Sequence, residues 1–571
     1  MAEAPAEAAA QHAASGDNTG DAIGYLQLGQ LPRDQRMQCA AIRGDMDVVR
    51  YLCELPRDRG VGPSAGHNRA LACAASKGHV DVVRYLCELP RDRGVNPGAG
   101  DNDAIRWAAQ HGHVNVVRYL CELPGDRGVQ PAAHDYAIRR AARGGHVDVV
   151  RYLCELPRDR GVHPGAFGSN AMQWAAFNGH VDVVRYLCEL PSDRGVHPGA
   201  HDDATIQWAA YRGHVDVVRH LCELPGDRGV DPSARDNYAM RWAAQHGHVD
   251  VVRYLCELPA DRAINPAAHD NAAIQSAARS GHVHVMRYLC GLSANRGVNP
   301  AADDNAAIRS AARYGHVNVV LYLCELPGVR GVDPGAHGNE AIKLAANHGH
   351  ADVVWYLCKL PADRGVNPGV EDNYAIRWAA SNCQLDVVQC LCELPVPQAV
   401  KPGDKDNYAI RWAARHGHVD VVQYLCKLAH ERGVNPGAHD NYAIKWAAHN
   451  GHVDVVRYLC ELPADRGVNP AAQDNYAIRW AALNDHVGVV RYLCGVLPPQ
   501  SQHIQCASQA VPLNRAAHYL YHAHTMTAEV TWQHRPGFGK YHTLFARMSA
   551  RRPLLVLRAL VRGFGSDDMY T

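Results

Sequence analysis

Histidine recurs along this chain at His79, His113, His146 and on to His486, almost always directly after a glycine and eight residues before a cysteine. In most copies an aspartate follows two residues after the histidine. Imidazole, carboxylate and thiol are the donors of a zinc site or of an acid–base pair. Either chemistry needs its groups to converge. Here each group recurs one period of 34 residues from its copy, so equivalent groups form a row and not a cluster. The histidines therefore read as structural, hydrogen-bonding across their turn and to the neighbouring unit. Fourteen of the nineteen cysteines share one register, from Cys53 to Cys494. Copies on stacked helices lie roughly 8–10 Å apart, beyond the roughly 7 Å Cα limit of a disulfide. They read as free, buried core residues of a reducing intracellular compartment, cytoplasm or nucleus. Cys390 and Cys392 lack zinc-site spacing, and Gly537–Lys540 lacks the spacing and the Ser or Thr of a phosphate loop. No His-Glu-x-x-His, Gly-x-Ser-x-Gly or kinase pattern occurs. The chain is expected to be non-enzymatic, with no metal and no cofactor.

The positions at which the copies differ point to recognition instead. One exposed register carries Arg106, Arg139, Gln173, Gln207, Arg241, Gln275, Arg309, Lys343, Arg377, Arg411, Lys445 and Arg479, and never an acid. The next residue is Trp107, Trp174, Trp208, Trp242, Trp378, Trp412, Trp446 or Trp480, with Arg140, Ser276, Ser310 and Leu344 in the remaining copies. Three residues further on, the most varied position includes Phe177, Tyr211, Arg313 and Arg415. Trp and Arg are the usual anchors of binding surfaces, and packing alone would not favour such mixed chemistry at one position. For any single tryptophan, packing against the adjacent unit is the alternative.

These residues must be held by a 34-residue unit, repeated fourteen times over 37–494, of the form GHVDVVRYLCELPRDRGVNPGAGDNDAIRWAAQH. Asp101 is placed as the N-cap of a helix near 102–111, with Ala104, Ile105, Ala108 and Ala109 as its apolar stripe and Gly112 as its stop. A second helix opens at His113 and buries Val114, Val116, Val117, Leu120 and Cys121, leaving Asn115, Arg118, Tyr119 and Glu122 opposite. Pro124 marks its end, and the Gly- and Pro-rich segment after it is a projecting loop. One residue is missing near His134, and residues 383–401 form an irregular unit, read as a local bend or a decayed copy. Residues 1–36 read as flexible. Residues 495–571 are a basic, non-repeat tail and a partial cap, with Arg551, Arg558 and Arg562 sharing one side of any helix there.

Ala108-Ala109, Gly112-His113, Val116-Val117 with Leu120, and the Gly-Val-Asn-Pro loop resemble ankyrin repeats over roughly 37–494. Tyr-Ala-Ile-Arg, as at Tyr374 to Arg377, replaces the family's Thr-Pro-Leu-His, in the manner of divergent variants from large DNA viruses and protists. The resemblance implies an all-α, curved helix-turn-helix-loop solenoid of about fourteen units. It also implies that Trp107, Trp174, Phe177, Trp208, Tyr211, Trp242, Arg309, Arg313, Arg377, Trp378, Trp412, Arg415, Trp446 and Trp480 look over a concave groove and meet a protein partner. Lys and Arg together number 58, as do Asp and Glu, so a cationic groove would be local, and it would favour an acidic partner. The alternative is that its arginines pair with acids of neighbouring units, each exposed pair contributing about 0–1 kcal/mol. Binding of nucleic acid or another polyanion, and service as an adaptor in a degradation complex, are the rival functions. A monomer with no membrane span is expected.

Overall fold

The computed structural model describes residues 33–497, apart from 56–61, 128, 158–161, 226–229, 260–261, 263, 329–330, 395–399 and 429–431 in the connecting loops. The expectations for residues 1–32, for the tail beyond 497 and for most of the irregular loop at 395–401 lie outside these. Among the described residues there are twenty-eight α-helices, two for each of fourteen repeats, and no strand. The described residues fall into two compact units, one within 33–277 with 284–299 and the other within 300–497 with 278–283. Within each unit, first helices of successive repeats pack on one another, and second helices do the same. The array begins four residues before the expected start, since the first helix is Arg33–Arg43.

The expected core is observed except at Val114, which is half-buried at the start of its helix. In the third repeat, Ala104, Ile105, Ala108 and Ala109 of Ala99–Gln110 are buried, as are Val116, Val117, Leu120 and Cys121 of Val114–Glu122. Small alanines let first helices approach closely, and each larger aliphatic side chain on the second helix contributes about 1.5–3 kcal/mol when fully buried. The second helix stops at Leu123, which is extended (φ −61°, ψ 144°) because Pro124 disfavours helical geometry in the residue before it. No described cysteine forms a disulfide. Burial pushes the thiols of Cys87, Cys154 and Cys222 up to about 12, so they stay protonated and inert.

The Gly-His turn shows why both residues recur. Gly78 has φ +78°, and a Cβ there would lie 2.5 Å from Nδ1 of His113 in the next repeat. His113 Nε2 donates to the carbonyl of Ser76 at 3.0 Å, and His214, His248 and His452 repeat the bond to Phe177, Tyr211 and Arg415. Burial lowers the pKa of His113, His214 and His452, which keeps the neutral ring whose Nε2 carries the donated proton. In the irregular unit, Cys383 takes the left-handed role of the glycine (φ +63°), Gln384 fills the histidine slot against Gly349, and Asn382 Nδ2 reaches the Asn347 carbonyl at 3.3 Å. The turn is therefore substituted while keeping the geometry of the other copies.

The start of the first helix differs from expectation. Asp101 is not an N-cap: Gly100, Asp101 and Asn102 form a left-handed turn (φ 62°, 54° and 65°) before the right-handed helix begins. Left-handed backbone is tolerated best by Gly, Asn and Asp, which explains the recurrent Asp-Asn pair. The side chain of Asn102 is buried and accepts from the backbone N–H of Gln130 at 2.7 Å, tying this turn to the next repeat's loop. Asn68, Asn305, Asn339 and Asn407 repeat that rung. The missing residue near His134 is absorbed here, where only His134 and Asp135 are left-handed.

Candidate interaction face

With Ala104, Ile105, Ala108 and Ala109 turned inward, the residues left on the first helix are those of the Arg, Trp and varied registers. The Arg register has a local role that its spacing concealed. Arg139, Arg309 and Arg377 donate to the carbonyls of His134, Asp303 and Glu371 at 2.8, 3.0 and 2.9 Å, each in the left-handed turn five or six residues earlier. Gln207 and Gln275 make the same bond to Asp202 and Asp270. Only a donor can satisfy a carbonyl, so an acid is excluded there for a structural reason.

The same cations rest on tyrosines of the following repeat: Arg106 over Tyr136 at 4.8 Å, Arg377 over Tyr408 at 5.0 Å, Arg411 over Tyr442 at 4.9 Å and Lys445 over Tyr476 at 5.4 Å. Elsewhere in the register the cation meets an acid of the next repeat, Arg309 with Glu340 at 2.5 Å and Lys343 with Glu371 at 2.8 Å. Cation–π contacts of this kind contribute about 0.5–1 kcal/mol at exposed sites. A second such row links second helices, with Arg84 over Tyr119 at 5.7 Å and the Tyr119 hydroxyl donating to the Arg84 carbonyl. Tyr119 was expected only on the outer side. The tyrosines at 136, 408, 442 and 476 were missed as partners of the Arg register, although their recurrence one helical turn before it was the available signal.

The tryptophans are neither buried nor free. Trp107, Trp174 and Trp378 are 36–38 % exposed, and Trp208, Trp242, Trp412, Trp446 and Trp480 are half-buried. In residues 174–246 the rings touch continuously: Trp174 to Phe177 at 5.8 Å, Phe177 to Trp208 at 5.6 Å, Trp208 to Trp242 at 5.3 Å and Tyr211 to Trp242 at 4.8 Å. Arg143 and Arg212 lie over Trp174 and Phe177. In residues 408–480 the rings are bridged by other groups. Arg415 sits 4.5 Å from Trp412 and 4.6 Å from Trp446, and His449 sits 4.8 Å from Trp446 and 5.2 Å from Trp480. The Arg415 guanidinium also donates to the Tyr442 hydroxyl at 3.3 Å. Trp378 has Tyr374 at 5.6 Å, and Arg313 is exposed beside Tyr314 at 5.9 Å. Trp107 stacks on His111 at 5.9 Å and lies under Arg140. Among the described residues no group of three or more His, Cys, Asp or Glu is placed to hold a metal ion.

Models of ankyrin repeats match residues 37–135, 105–202, 206–304, 342–440 and 444–493. This chain belongs to the ankyrin repeat family. Ankyrin repeats are in general protein–protein interaction modules, typically non-enzymatic scaffolds. A solved structure of an ankyrin repeat family protein from Legionella pneumophila is 20 % identical, over 57 % of this chain and 86 % of that one, with a TM-score of 0.27. No curated protein matches. Among the described residues of this ankyrin repeat chain, no helix is long and apolar enough to cross a membrane.

Proposed function

We propose that this ankyrin repeat chain holds a protein partner on the first-helix face, with the ring ladder of Trp174, Phe177, Trp208, Tyr211 and Trp242 as the main contact and the Trp412–Arg415–Trp446 stack as a second, cationic one. The observation that carries the reading is the continuity of half-exposed rings over three repeats, at registers that the scaffold leaves free to vary. Aromatic side chains supply large contact area at low entropic cost, which is why they dominate the energetics of interfaces. The partner needs no chemistry from the scaffold, only a complementary surface. A polyanion reading has less support, because Arg309 and Lys343 are already paired with Glu340 and Glu371.

Affinity capture from an extract of the source cells tests this. The intact chain is compared with a Trp174→Ala/Trp208→Ala/Trp242→Ala variant and with a Trp378→Ala/Trp412→Ala/Trp446→Ala variant, folds matched by circular dichroism, at low and moderate salt. A partner kept by the intact chain and lost by the first variant places recognition on the ladder. Undiminished recovery of the same partner by both variants rejects the first-helix face.

A further inference from the structure

The register that holds tryptophan in eight repeats holds Cys73 in the second repeat, and the Arg register before it holds Ala72. With both large side chains missing, a hollow of about 580 Å³ opens at this point, lined by Ala72 and Cys73 and bounded by Ile42 and Trp107. The equivalent surface in a later repeat is covered. Trp242 is met by Trp208 and Tyr211 of the repeat before it, whereas the corresponding residues before Trp107 are Cys73 and Ser76. Trp107 and Ile42 are 38 % and 40 % exposed, so both present apolar surface to the hollow. The apolar part of the lining suits an aromatic side chain, and the volume leaves room for the residues that flank it.

The rim adds charge. Arg69 and Lys77 line the hollow and are exposed, and no acidic residue pairs with either among the described residues. Asp103, the acid at the same hollow, is engaged by Arg106 at 3.2 Å. Two uncommitted cations beside an apolar hollow complement a ring that carries a carboxylate next to it. We propose that the hollow over the second repeat receives an aromatic side chain of a protein partner, with an adjacent acidic residue of that partner paired to Arg69 or Lys77. The incoming ring takes the place of the tryptophan that this repeat lacks. The proposal rests on the reading of the first-helix face as the recognition surface, and it names what one part of that face accepts.

The test uses the intact chain and three small probes, indole-3-acetate, indole and acetate, in saturation-transfer NMR titrations. Saturable binding of indole-3-acetate, at least threefold tighter than indole, with none of acetate, is expected. Cys73→Trp and, separately, Ala72→Arg fill the hollow with residues that other repeats carry and should abolish that binding, while Arg69→Gln/Lys77→Gln should reduce it to the level of indole. Undiminished binding in both filled variants, with circular dichroism unchanged, overturns the proposal, as does acetate binding as well as indole-3-acetate. If the probes fail to bind while partner capture still depends on the 174–242 ladder, this hollow alone is rejected. If the probes bind in the hollow while capture ignores both tryptophan sets, the hollow stands and the broader reading of the face falls.

Discussion

Residues 174–246 and 408–480 present the same backbone with different chemistry. Both stretches place tryptophan at one register of the first helix, and both fill the space between successive tryptophans from the register three residues later. In the first stretch that filler is Phe177 or Tyr211, and in the second it is Arg415 or His449. One register thus decides whether the face is a run of rings or rings alternating with cations, while the buried alanines, the turn and the inter-repeat bonds stay as they are. The buried core and the exposed chemistry thus occupy different registers.

The comparison breaks most readily at Trp208. It touches Phe177, Tyr211 and Trp242, so Trp208→Ala should lower the local opening free energy of residues 200–245 by about 2 kcal/mol, short of the full cost of a buried Trp because the ring is half-exposed. Trp378, over a third exposed and tilted against Tyr374, should cost under about 1 kcal/mol when replaced by alanine. Native-state hydrogen exchange resolves the two segments separately, which a global melt of a repeat array does not. Equal losses would mean that ring continuity contributes nothing.

The next effect concerns the rung that joins each left-handed turn to the following loop. Residues 305–407 use asparagine for it, but Asp203 stands in the aromatic stretch, accepting from the Asp231 N–H at 3.0 Å. Burial raises the Asp203 pKa to about 6, with repulsion from Asp231 and Asp202 adding to the rise against the opposing hydrogen bond. A carboxyl whose pKa is higher folded than unfolded weakens the fold wherever it is ionised in both states, hence above about pH 6, and the penalty vanishes below the unfolded value of about 4. Asp203→Asn should therefore stabilise residues 200–231 by about 1 kcal/mol at pH 7, after allowance for partial exposure, and by nothing at pH 3.5. Native-state hydrogen exchange at the two pH values measures it, and a gain that persists at pH 3.5 would assign the effect to something other than charge.

Much of this architecture is legible in the residues themselves, and the exceptions share a cause. The two helices, the buried Ala104, Ile105, Val116 and Leu120, and the inter-repeat role of the histidines follow from period and polarity, which are local properties. Asp101 is ambiguous in sequence because an aspartate before an apolar stripe suits both an N-cap and a left-handed turn; only the rung from Asn102 to Gln130, twenty-eight residues away, selects the second. The Arg register looked like a free cationic row for a similar reason. Its carbonyl partners lie in the turn that was misread, and its tyrosines lie one repeat further on. The hollow at Cys73 was invisible as well, since the loss of a ring acquires meaning only once its neighbours are known to touch.

The smallest effect on stability is the most informative about the comparison. Tyr211→Arg gives the aromatic stretch the filler used at Arg415, and Arg415→Tyr does the reverse. Tyr211 gives up ring contacts with Trp208, Trp242 and His246 at 5.9, 4.8 and 4.2 Å, and the arginine replacing it gains stacking on the two indoles. Ring–ring and cation–ring contacts of this sort are each worth about 0.5–1.5 kcal/mol, so the net change in either direction should stay under about 1 kcal/mol. The surface charge changes sign of effect where the stability does not: retention on an immobilised polyanion at low salt should rise for Tyr211→Arg and fall for Arg415→Tyr, with both differences lost as salt screens the face. If instead either swap unfolds its segment by hydrogen exchange, the filler register belongs to the scaffold, and the chemistry of the face is not free to vary there.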